Sequence, residues 1–134
     1  MSNFVGQHVL SVNELNRDAI ETIFNVAKKM EPYAKKQKRT KVLEGAILAN
    51  LFFEPSTRTR VSFGTAFNLL GGLVRETTGM QTSALAKGES LYDTARVISS
   101  YADAVAMRHP EAHSVAEFAN GSTVPVLNLS LIHI

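Results

Sequence analysis

Apolar and polar residues along the chain follow two different periods. Residues 17–33 carry Ile20, Ile23, Phe24, Ala27 and Met30 at helical spacing, which predicts an amphipathic helix. Asp18 and Glu21 come early in it and Lys28 and Lys29 late, the order a helix dipole favours. Residues 1–10 read as a short leader and 11–15 as a turn or short helix. From Gly45 onward the pattern alternates. Residues 46–53 form an apolar run of the buried-strand kind, and 57–70 return to helical spacing through Phe63, Ala66, Phe67 and Leu70, closed by Gly71 and Gly72. Residues 73–77 predict a second strand. A helix over 90–101 would turn Leu91, Ala95, Ile98 and Ala102 inward. Residues 104–107 predict a third strand, 113–120 a short helix ended by Gly121, and 124–128 a fourth strand. Strands alternating with helices predict an α/β fold, a parallel sheet of about four strands with helices on both faces. Ligands of such sheets sit beyond the carboxyl ends of the strands. Residues 56–60, the polar loop 78–88 and Arg108-His109 would then share one rim.

Composition narrows the function classes. A chain of 134 residues with 45% hydrophobic content suits one domain with its own core. The net charge of +2 points to neither nucleic acid nor anionic membrane as a partner. The basic run 35–41 has no interleaved aromatic residue and reads as a solvated linker. Absence of cysteine excludes a disulfide framework, a thiolate nucleophile and cysteine-ligated metal, and fits a cytoplasmic location. Residues 1–10 lack the pattern of a secretory signal, and no apolar run is long enough for a bilayer.

The stretch Glu54-Pro55-Ser56-Thr57-Arg58-Thr59-Arg60 carries the candidate chemistry. Pro55 stops the strand and Ser56 is the expected N-cap of the next helix. Two arginines then occupy the helix's first turn, at its positive pole, where cations are disfavoured by a few tenths of a kcal/mol to about 1 kcal/mol each. A bound anion would reverse that sign. Free N–H groups, three hydroxyls and a guanidinium fork suit a phosphate. The plain alternative is a capped surface helix with two solvated arginines.

The pattern F-x-x-S-T-R-T-R-x-S-F, residues 53–63, resembles the carbamoyl-phosphate signature of the aspartate and ornithine carbamoyltransferases. The resemblance implies that Ser56, Thr57, Arg58 and Thr59 cradle phosphate, with Arg58 as the bidentate clamp and Thr59 reaching phosphate and carbonyl oxygen. Arg60 is expected to be structural, in a salt bridge to the helix surface or the sheet edge. Residues 83–89 resemble the family's S-x-x-x-K-G-E loop, which implies that Ser83 and Lys87 serve the active site of a neighbouring subunit. Glu89 has a plain role at the start of the next helix. Met107-Arg108-His109-Pro110 resembles the aspartate branch and implies that Arg108 binds phosphate and polarises the carbonyl. His109 is expected to pack a turn, and His8 and His113 to lie on the surface. Gly64 and Leu69 depart from the family's frequent Glu and Arg. The family's H-P-x-Q element and amino-acid-binding domain have no counterpart after Asn128. Residues 129–134 are read as translated sequencing-adapter read-through, the alternative being a divergent strand extension.

The implied domain is thus a Rossmann-like carbamoyl-phosphate domain over residues 1–128, incomplete at its C-terminus. The implied reaction carries carbamoyl from carbamoyl phosphate to L-aspartate, giving N-carbamoyl-L-aspartate and phosphate for pyrimidine synthesis, with no cofactor or metal. The complete enzyme would be a homotrimer, with a regulatory chain possible. The fragment alone is expected to bind carbamoyl phosphate weakly and to be inactive. Alternatives are ornithine or another amine as acceptor, and a non-catalytic anion-binding or assembly domain.

Overall fold

The computed structural model describes residues 2–79 and 88–131. In chain order the elements are α1 (Arg17–Ala34), β1 (Ile47–Phe52), α2 (Thr57–Leu69), β2 (Leu73–Thr78), α3 (Leu91–Ser99), β3 (Ala104–Arg108), α4 (Ser114–Gly121) and β4 (Val126–Asn128), preceded by a 3-10 turn at Val12–Glu14. Among the described residues the strands form one all-parallel sheet in the order β2-β1-β3-β4. The α/β architecture expected from the hydrophobic pattern is the one observed.

The strand order explains the layers. The chain leaves β1 toward β2, then returns past β1 to β3 and β4. Right-handed crossovers in opposite directions put α2 on one face and α3 and α4 on the other. Side chains of β1 alternate between those faces. Ala49, Leu51 and Phe53 join a buried cluster with Ala95, Val105, Met107 and Phe118. Each large apolar side chain buried there contributes about 1.5–3 kcal/mol. Asn50 has the opposite parity and reaches α2, its Nδ2 donating to the Arg60 carbonyl at 3.0 Å.

Three expectations are corrected. The fourth strand begins at Val126, because Pro125 has no N–H for the ladder; its carbonyl accepts from Val105 N–H at 2.8 Å. His8 does more than lie on the surface. Its Nδ1 accepts from Val126 N–H at 3.0 Å, while Val9 N–H donates to the Val126 carbonyl at 2.9 Å, so the leader covers the outer edge of β4. The apolar stripe of α1 is only partly covered: Phe24 is 63% exposed, and burial falls on Ala19 and Thr22. Thr22 is covered by the leader, its Oγ1 accepting from Ser2 N–H at 3.1 Å. Past β4, Leu129 N–H donates to the Met107 carbonyl at 2.8 Å and Ser130 is buried. No helix among the described residues is long and apolar enough to cross a membrane.

Gly71, with φ +96°, ends α2 in a conformation that favours glycine. Gly64 is different. It sits inside α2, and a Cβ there would lie 3.5 Å from Glu76 Oε1, 3.6 Å from Asn50 Nδ2 and 3.8 Å from Val74 Cγ1, all ordinary contacts. Gly64→Ala is therefore expected to stabilise the fold by about 0.5–1 kcal/mol, the helix-propensity difference. A raised urea midpoint at unchanged slope would show it, and a lowered midpoint would refute it.

Candidate functional site

The β1–β3 register sets Phe52 level with Arg108, and Phe53 N–H donates to the Arg108 carbonyl at 2.9 Å. The two strands therefore finish side by side, at the point where the strand order reverses. Crevices at such points are where open parallel sheets bind ligands. The chain leaving β1 passes Glu54 and Pro55 and enters α2 at Ser56. Arg108 turns toward it, its Nη1 donating to Ser56 Oγ at 2.9 Å. Its Nε lies 3.8 Å from Glu54 Oε2, an ion pair too long for a hydrogen bond. That Nε is buried with no hydrogen-bond partner among the described residues, on a side chain whose residue is only 8% exposed. A buried, unused cationic donor is costly, and an anionic oxygen brought to it removes the penalty.

Ser56 occupies the N-cap position by its backbone, with Arg60 N–H donating to its carbonyl at 3.0 Å. Its hydroxyl makes no capping hydrogen bond, contrary to expectation, because that oxygen accepts from Arg108. The Ser56 side chain thus leaves the first-turn N–H groups of Thr57, Arg58 and Thr59 uncapped, and the turn contains no acid. Neither the cap side chain nor the first turn itself offsets the positive pole of α2. A hydroxyl that accepts from a guanidinium is also polarised to donate its own proton.

A hollow of about 530 Å³ lies over the carboxyl ends of β1 and β2, lined among others by Phe53, Glu54, Ser56, Thr57, Arg60 and Thr78. Arg58 is exposed and lines, with Thr57, a neighbouring apolar groove of about 730 Å³ between α1 and α2. Thr57 borders both. Thr59 is half-buried. The structure thus brings Ser56 and Arg108 into direct contact, with Arg58 on the adjoining side of the same helix turn. Arg60 Nη1 meets Glu76 Oε2 at 2.7 Å, the sheet-edge salt bridge expected of it. Ser83 and Lys87 lie outside the described residues. Glu89 has its plain role, with Thr94 Oγ1 donating to Glu89 Oε1 at 3.1 Å.

His109 packs the turn after β3. Its ring meets Phe53 edge-on at 5.9 Å, its Nδ1 accepts from Glu111 N–H at 3.1 Å, and its backbone N–H donates to Ser130 Oγ at 3.0 Å. Burial lowers its pKa below the ordinary value, partly offset by Glu111, Glu117 and Glu54. The folded state therefore resists a proton that the unfolded chain accepts below about pH 6.5. Stability is full above that pH and declines as pH falls through it toward the folded value. The slope of unfolding free energy between about pH 7.5 and 5.5 should be shallower in His109→Asn than in the parent; equal slopes would contradict this.

Sequence reasoning did not single out Asn50, Glu76 or the Glu54 carboxylate. One signal was available: a lone amide in a buried strand needs a partner. His113, at φ +66°, is exposed at the N-cap of α4.

Residues 7–133 match the family model described as aspartate/ornithine carbamoyltransferase, carbamoyl-P binding domain. The aspartate carbamoyltransferase catalytic subunit of Saccharophagus degradans is 70% identical over 125 residues, covering 93% of this chain and 37% of that one. The catalytic subunit of M. jannaschii aspartate transcarbamoylase superposes with a TM-score of 0.88 at 43% identity, over 95% of this chain and 42% of that one. The ornithine carbamoyltransferase from Pyrococcus furiosus gives a TM-score of 0.89 at 37% identity, over 97% and 41% of the two chains. The chain thus spans little more than a third of the length of the S. degradans relative.

Proposed function

The chain belongs to the aspartate/ornithine carbamoyltransferase family through its carbamoyl-phosphate-binding domain, and from that premise we propose that the whole protein transfers carbamoyl from carbamoyl phosphate to the amino group of L-aspartate. The products are N-carbamoyl-L-aspartate and phosphate, as pyrimidine synthesis uses them. One observation carries the reading furthest: Arg108, buried and with a spare donor, is aimed at Ser56 beside the uncapped start of α2.

The reaction needs an anchored phosphate, a stabilised carbonyl oxygen and a positioned amine. The N–H groups of residues 57–59, the Ser56 and Thr57 hydroxyls and the Arg58 guanidinium take the phosphate oxygens. Thr59 and Arg108 bridge phosphate and carbonyl oxygen, stabilising the charge that builds as the amine attacks the carbonyl carbon. Phosphate then leaves with the electrons of the broken C–O bond and takes up the proton that the attacking amine loses. Ser83 and Lys87 reach the site from a neighbouring subunit of a trimer in the cytoplasm. The sequence Met107-Arg108-His109-Pro110 supports aspartate over ornithine.

The full-length protein is the object to assay, because the present chain alone is expected to turn over no substrate. Phosphate release from carbamoyl phosphate should depend on L-aspartate. Release that depends on ornithine would establish the other acceptor, and release with neither amine would overturn the transferase reading.

A further inference from the structure

We propose that Glu76 masks Arg60, an arginine lining the anion hollow, and so restricts the hollow to a single phosphate group. This rests on reading that hollow as a phosphate site. Arg60 lines it together with Ser56 and Thr57. Its main chain is pinned at both ends: the N–H donates to the Ser56 carbonyl at 3.0 Å, and the carbonyl accepts from Asn50 Nδ2 at 3.0 Å. Only the side chain is left to choose a partner, and Glu76 Oε2 holds it at 2.7 Å.

The placement of that carboxylate draws on three elements. Glu76 stands on β2 directly across from Asn50 of β1. Its other oxygen lies 3.5 Å from where a Cβ of Gly64 would be, so it rests against a face of α2 that carries no side chain. The two arginines near the hollow differ in how far their carboxylates occupy them. Glu54 is 3.8 Å from Arg108 and makes no hydrogen bond to it, so a donor stays available. Glu76 makes a direct, charge-assisted hydrogen bond to Arg60 and closes that donor to an incoming anion. Released, Arg60 would present a further cation to the hollow, beside the Ser56 hydroxyl that Arg108 holds. A ligand with two phosphoryl groups would gain most from it.

Glu76→Gln tests this, since the side chain is 38% exposed and its neutral amide fits the same space. Inorganic phosphate and pyrophosphate are titrated calorimetrically into the parent chain, the Glu76→Gln variant and the Glu76→Gln/Arg60→Gln variant. The expected result is about fivefold tighter phosphate binding in Glu76→Gln, the size of one partly solvated charge-assisted contact, with a larger gain for pyrophosphate. Both gains should vanish in the double variant. A parent that binds phosphate while Glu76→Gln matches it overturns the masking alone. A gain that survives in the double variant also overturns it, since general charge would then suffice. Parent and variant both without phosphate affinity would overturn the phosphate reading and the masking with it.

Discussion

Arg108→Ala should weaken phosphate binding by about 100-fold or more, the scale of deleting one partner from a buried, hydrogen-bonded charge contact. The side chain is nearly inaccessible, spends Nη1 on Ser56 and keeps Nε without a hydrogen bond among the described residues. Truncation removes the buried cation and also frees Ser56 to cap α2, which would turn its hydroxyl oxygen onto the helix N–H groups that the anion needs. Both changes act in one direction. The fold should survive, because Glu54, the carboxylate left unpaired, has a side chain 30% exposed and stays solvated. Arg108→Lys keeps a charge but not the planar fork and should recover only part of the loss. Calorimetric titration with inorganic phosphate measures all three proteins. A loss below about threefold in Arg108→Ala would be too small for a buried charge contact.

Gly121→Ala is expected to cost about 3 kcal/mol, near the upper end for overpacking, because the obstruction is backbone. A Cβ at Gly121 would lie 2.4 Å from the Tyr92 carbonyl oxygen and 3.1 Å from its carbonyl carbon. Tyr92 is in the first turn of α3, so relief requires α3 and α4 to separate. That separation would open the cluster around Phe118 and Ala95, both fully buried. Domains of this kind hold only about 5–15 kcal/mol in total, so the loss would be conspicuous in urea unfolding. Gly64→Ala makes the same chemical change in an uncrowded place and should shift the midpoint the other way. Equal shifts for the two variants would refute the steric account.

Those two glycines mark the boundary of what could be read from the chain. Element order was legible because each signal is local: the apolar run before Pro55, helical spacing after it, glycines closing α2 and α4. The stretch proposed to cradle phosphate stood out for the same reason, being contiguous from Ser56 to Thr59. Local signals failed where the partner is distant. Ser56 has the residue type of a cap, yet its hydroxyl is taken by Arg108, 52 positions away. His8 looked solvated until β4 was found beside it, 118 positions on. The contacts of Asn50 and of Glu76 with Arg60 depend on a strand register that no spacing reveals. The stripe on α1 was correctly periodic, but periodicity does not say which part of a stripe is covered.

Titration of the ¹⁵N-labelled chain with carbamoyl phosphate, followed by amide NMR, tests the central claim most directly. The account predicts saturable shifts at residues 56–59 and Arg108, displaced by inorganic phosphate and lost in Arg108→Ala. Saturable shifts confined to other parts of the fold, or binding that Arg108→Ala leaves intact, would contradict it.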